Sequence, residues 1–124
     1  MHTVAQTKPF VAAAREAGLT EEEIDDVVSY LAENPLAGDE IAGTGGCRKV
    51  RIAGRGKGKS GGYRRVTFYS GEAMPVFLLT VFSKGEKSTL TGKEKAALKA
   101  ITKDIVAAYK EKVSSLAKHK GLAG

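Results

Sequence analysis

Residues 47–69 read CRKVRIAGRGKGKSGGYRRVTFY, and the fold turns on how their glycine-rich middle is entered and left. Gly58, Lys59 and Ser60 match the close of a G-x-x-x-x-G-K-[ST] nucleotide loop, but Ala53 stands where that pattern begins with glycine. Such a loop needs a strand before it and a helix after it, so that the helix N-terminus faces the phosphates. Here both flanks have period two. Cys47, Lys49 and Arg51 alternate with Arg48, Val50 and Ile52; Tyr63, Arg65, Thr67 and Tyr69 alternate with Arg64, Val66 and Phe68. The exit is β-branched and aromatic, hence a strand. The glycine-lysine run is therefore expected to be a hairpin tip carrying Arg55, Lys57 and Lys59, with glycines that let the backbone approach a phosphate chain closely. Val50 and Ile52 are expected to face a core, and Lys49 and Arg51 the opposite way.

Working outward, PVFLLTVFS at 75–83 is an almost unbroken apolar run after a turn at Gly71 to Pro75, and is expected to form the sheet centre. Three strands in close succession predict an antiparallel meander. From Thr91 a long amphipathic pattern begins with a Thr91/Glu94 capping box and carries Leu98, Ile101, Ile105, Tyr109, Val113 and Leu116 on one stripe. Upstream, FVAAAREAG at 10–18 reads as a helix stopped by Gly18, and LTEEEIDDVVSYLAENP at 19–35 as a second with a Thr20/Glu23 box. HTVAQT at 2–7 alternates weakly as a short strand, and LAGDEIAGTGG at 36–46 reads as loop. The expected fold is α+β: a small, mostly meander antiparallel sheet of about four strands, two N-terminal helices and a long C-terminal helix. One domain spanning 1–124 is expected, with residues from about 110 projecting.

Charge is strongly polarised. Residues 1–42 hold nine acids against Lys8 and Arg15, a formal −7, while residues 43–124 carry +13. From Ile41 to Gly71 there are eight basic residues and no acid, so this segment should present positive potential to a polyanion. One cysteine excludes an internal disulfide, and with two histidines near the termini it makes a zinc site implausible, so neither metal nor cofactor is expected. No apolar run approaches membrane length and the N-terminus lacks a signal-peptide order, which points to a cytoplasmic protein without a membrane partner.

The order GDEIAGTGGCRKVR, GKGKSGGYR, an aromatic strand, and an apolar strand ending in SKGEKSTLT resembles the HigB branch of the RelE/ParE-like toxins of toxin–antitoxin pairs, over roughly residues 3–105. That resemblance implies cleavage of messenger RNA on the translating ribosome and inhibition by a cognate antitoxin, usually one with a helix-turn-helix. It implies functional cations at Lys49, Arg51 and Arg64, joined by Lys84 and Lys87 after the third strand, with Lys57 and Lys59 in the Gly-Lys loop. Many relatives carry a tyrosine near the end of that strand, where this chain has Phe82 and Thr91.

RNA can be cut without metal when its own 2′-hydroxyl attacks the adjacent phosphate. The protein then accepts one proton, returns one and stabilises the added negative charge. Arg64 or Arg51 suits the last task through its fork of donors. His2 and His119 lie outside the motif, which leaves a lysine, with Lys49, Lys59 and Lys84 the candidates, since crowded cations disfavour one another's charge. Arg48, Arg55, Lys57, Arg65 and Lys87 are expected to bind RNA backbone, and Tyr63 and Tyr69 to offer stacking surfaces. Cys47 reads as a small apolar strand residue. Two other functions remain open on sequence grounds: a non-catalytic nucleic-acid-binding protein, including an inactivated toxin, and a gyrase poison of the ParE kind.

Overall fold

A computed structural model describes residues 2–51, 63–71, 74–83 and 90–123, apart from the side chains of 83 and 112–123. Strand β1 (Val4–Gln6) leads into α1 (Lys8–Ala17) and α2 (Glu21–Glu33), followed by β2 (Asp39–Glu40), β3 (Cys47–Val50), β4 (Tyr63–Phe68), β5 (Val76–Ser83) and α3 (Gly92–Ala123). The helix ends follow their sequence signals. The Thr7 hydroxyl accepts the Phe10 N–H at 3.3 Å and donates to the Leu78 carbonyl at 2.8 Å, so the cap of α1 is also tied to β5. Gly18 closes α1 at φ +78°. The Thr20/Glu23 box opens α2 with reciprocal bonds of 3.1 and 3.0 Å, and the Thr91/Glu94 box opens α3 with 3.1 and 2.9 Å.

The sheet departs from the sequence expectation in three ways. It has five strands in the order β1-β5-β4-β3-β2, so β4 is the middle strand and β5 lies beside it. It is mixed, because β1 runs parallel to β5 with Val4 opposite Val76. Parallel pairing needs a long crossover, and the two intervening helices supply it. The third departure is β2, in a stretch read as loop: Asp39 pairs with Lys49 and Glu40 with Arg48, so the basic strand has acids as its neighbours. Its short length and charge suit an edge.

The antiparallel pairing of β3 with β4, Val50 opposite Arg65, settles the glycine-lysine segment as the link between two neighbouring strands. The segment itself, residues 52–62, lies outside the described residues, as does Ile52 at its start.

Both faces of the sheet are covered, which is why β5 reads as continuously apolar rather than alternating. Under α1 and α2, Phe10, Ala14, Val27 and Leu31 pack on Val50, Val76, Leu78 and Val81. On the other face Leu98 of α3 joins Ile41, Cys47, Val66, Phe68, Leu79 and Phe82. A register shift between Val66 and Thr67 sets Val66 opposite Thr80 but Thr67 opposite Leu78. This bulge changes the phase of β5 in mid-strand, so its apolar side chains reach both cores. At about 1.5 Å per residue, the 32 residues of α3 span about 48 Å and outrun a sheet whose longest strand has eight residues.

The β2–β3 connection is built inward. The Ile41 N–H donates to the Cys47 carbonyl at 2.8 Å. The buried Thr44 hydroxyl donates to the Ile41 carbonyl at 2.6 Å and accepts the Cys47 N–H at 3.1 Å. Thr102 of α3 donates its hydroxyl to the Lys99 carbonyl at 2.8 Å and lies 3.4 Å from the Thr44 carbonyl, so the turn rests against the last helix. Gly38, just before β2, sits at φ +92°, and a Cβ there would fall 2.3 Å from the Lys49 carbonyl oxygen. Gly38→Ala is therefore expected to cost roughly 3 kcal/mol through backbone strain and overlap, lowering the melting temperature by about 10 °C in a thermal scan.

Candidate nucleic-acid interface

Strand register sorts the basic residues between two faces. Lys49 is opposite Val66, and Cys47 opposite Phe68, all on the α3 side of the sheet. Arg64 shares that side, two residues before Val66 and directly opposite Phe82 of β5. Lys49 and Phe82 together line a cleft of about 140 Å³ with Glu40, Ile41, Ala42, Leu90 and Lys95. Lys49 and Arg64 are thus half-buried residues of adjacent strands on one face of the sheet, Lys49 sharing a cleft with Phe82 and Arg64 standing opposite Phe82 in register. Arg51, the residue after β3, is exposed, and continued alternation sets it on Lys49's side. The face that carries Lys49 is covered in part by α3, and the cleft lies near the start of that helix, at Leu90 and Lys95.

Three residues expected to bind RNA belong to the opposite face. Arg65 is 1 % exposed, in the layer beneath α1 and α2. Burial pulls its guanidinium below the usual arginine range, while Glu23 of α2 and Tyr63 act in the opposite direction. One of its donors reaches the Tyr63 carbonyl at 3.4 Å. Arg65 is a core cation, because strand alternation gives it the face opposite to Arg64. Tyr63 donates its hydroxyl to the Ala17 carbonyl at 2.9 Å, at the C-terminus of α1, and its ring packs on the same core. Arg48 donates to the Gly38 carbonyl at 3.0 Å and braces β2. Tyr69, at the end of β4, packs edge-on against His2, ring centroids 5.4 Å apart, and also lines a groove beside α3. Arg55, Lys57, Lys59, Lys84 and Lys87 lie outside the described residues.

Other contributors escaped the sequence reading. Glu40 brings a carboxylate into the Lys49 cleft, and Lys95 a further cation. A second groove of about 550 Å³ runs between the β2–β3 turn, the end of β4 and α3, where Lys99, Lys103 and Lys110 border Phe68 and Val106. The four-residue spacing of Lys95, Lys99 and Lys103 was a readable helical signal, but a stripe becomes a site only once its sheet face is known.

Cys47 is fully buried, and burial raises its thiol above the ordinary 9.0, with a smaller opposing effect from Thr44. A raised folded-state value means that the associated stability is whole below the unfolded thiol's range and is lost as pH rises through the folded one. The folded protein is expected to resist thiol alkylation at pH 8 and to react at once in denaturant, which a timed dithionitrobenzoate assay measures.

Among the described residues no helix is long and apolar enough to cross a membrane. The sequence model of a family described as "RelE toxin of RelE / RelB toxin-antitoxin system" matches residues 2–124. A solved structure of E. coli toxin RelE, a double arginine-to-alanine mutant in the free state, is similar at 20 % identity with a TM-score of 0.47, covering 70 % of this chain and 87 % of that one.

Proposed function

The chain belongs to the RelE family of toxins, and from that membership we propose that it cleaves messenger RNA on the translating ribosome, using the cations of the β3–β4 face. As a toxin of a toxin–antitoxin system it has an antitoxin as partner. That the antitoxin carries a helix-turn-helix, that the toxin is of the HigB branch and that it acts in the cytoplasm are parts of the same proposal.

In the proposed reaction the 2′-oxygen attacks the adjacent phosphorus, the bond to the 5′-oxygen breaks, and a 2′,3′-cyclic phosphate remains. The proton of the 2′-hydroxyl passes to a group of the cleft, Lys49 or Glu40, and the departing 5′-oxygen takes up a proton in turn. Arg64, with Arg51 beside it, holds the phosphate oxygens as their charge grows. A site of this kind positions poorly by itself, and a ribosome that bends the strand into line would supply the missing alignment.

What supports the reading is that Lys49 and Arg64 share one face of adjacent strands, Lys49 in a cleft with Phe82 and Arg64 opposite Phe82 in register. Induced expression followed by primer extension on a reporter message tests it. Cuts confined to the translated region, and absent when the start codon is removed, are expected. Growth arrest with intact message would overturn it, and a supercoiling assay would then examine gyrase.

A further inference from the structure

We infer that the flank of α3 bearing Lys95, Lys99, Lys103 and Lys110 is a track for the phosphates of a single RNA strand leading away from the Lys49–Arg64 cleft. The inference rests on the reading of that cleft as an RNA site, but not on whether cleavage occurs there.

Four observations carry it. The first is periodicity: lysines 95, 99 and 103 recur about 6 Å apart along the helix, and Lys110 continues the same side two turns on. At 3.6 residues per turn the nearby acids Glu94, Asp104 and Glu111 fall on other sides of α3, so the flank's own charges are positive, with Glu40 of β2 in the cleft beside Lys95. The second is succession along the helix, since Lys95 lines the small cleft with Lys49 while Lys99, one turn on, lines the second groove with Lys103 and Lys110.

The third is support for the side chains. A Cβ at Gly43 would lie 3.9 Å from the Lys95 stem, and one at Gly45 would lie 3.6 Å from that of Lys99. These stems pass close to the β2–β3 turn, which limits their freedom and so reduces what is lost on meeting a phosphate. The GTGG turn rests against α3 where Thr44 meets Thr102, and this sets their height above the sheet. The fourth is the charge of the rest of the molecule. The exposed acids Glu21, Glu22, Asp25 and Glu33 lie on α2, across the sheet, so a polyanion is attracted on one side and repelled on the other.

An acidic protein segment would answer the same charge. The strand is favoured because regular single charges follow one line along α3 from the cleft.

The test is fluorescence anisotropy of the full chain with a labelled 2′-O-methyl RNA of about fifteen nucleotides, titrated between about 50 and 200 mM KCl. That probe has no attacking hydroxyl, so binding is read whether or not the protein cuts. Lys99→Gln, Lys103→Gln and Lys110→Gln combined are expected to weaken binding at least about tenfold and to flatten the plot of log affinity against log salt by about two units. The corresponding triple arginine variant is expected to restore both. Wild-type affinity and slope in the glutamine variant would overturn the track. So would unchanged RNA binding with lost antitoxin binding, which would hand the groove to a peptide. A wild-type protein that leaves cellular message intact, with the glutamine effect present, would keep the track and remove the cleavage reading.

Discussion

Replacing Arg64 with alanine is expected to slow mRNA cleavage by about 10²–10³-fold while leaving the thermal unfolding profile close to that of the parent protein. The side chain stands half-buried beside Phe82 on the face that carries Lys49, and a guanidinium there offers two parallel donors to a phosphate. Its removal takes away charge stabilisation that grows as the phosphate accepts a fifth oxygen. Arg64→Lys keeps the charge but loses the fork, and a partial loss is expected. Rates from a reconstituted translation reaction, quantified by primer extension, measure both variants. Parental cleavage by Arg64→Ala would place the phosphate elsewhere.

The neighbouring arginine is expected to give the reverse result. Arg65→Ala should cost about 3–5 kcal/mol in a urea titration, a large part of the roughly 5–15 kcal/mol that holds a domain folded. Arg65 is 1 % exposed, and its truncation would leave a cavity beneath α2 and deprive Glu23 of a counter-charge. Glu23 already serves the N-terminus of α2 through the Thr20 N–H, so a disturbance there reaches the helix cap. Arg65→Met refills most of the volume but also leaves Glu23 without its counter-charge, and an intermediate cost is expected. Two adjacent arginines would then separate cleanly, one changing rate and the other stability. An alanine variant at 65 as stable as the parent would contradict its place in the core.

The contrast also shows how far residue order reaches. Alternation within β3 and β4 was legible, and with it the grouping of Lys49 with Arg51 and of Arg64 with Val66. What alternation leaves open is which group meets which layer, because both groups contain apolar and basic members. Arg65 looks like any strand cation until Glu23 and Tyr63 are seen around it. The Thr20 and Thr91 boxes and the Gly18 stop were readable because they are local, settled within four residues, whereas the Thr7 cap of α1 was hidden in a stretch read as strand. The parallel β1–β5 pair was not, since Val4 and Val76 meet only through the packing of everything between them. β2 was missed for a related reason: two acidic residues have little strand preference, and they pair because β3 offers them opposite charge and an open edge.

The parallel pair has a consequence for the order of events during synthesis. Val4 can take its place only after Val76 has left the exit tunnel, and the Thr3 carbonyl waits equally long for the Val76 N–H that it accepts at 2.8 Å. A nascent chain thus holds its first strand unsatisfied until more than seventy further residues are outside, and long-range closure of this kind is slow. The edge where the chain begins is among the late parts of the sheet to close.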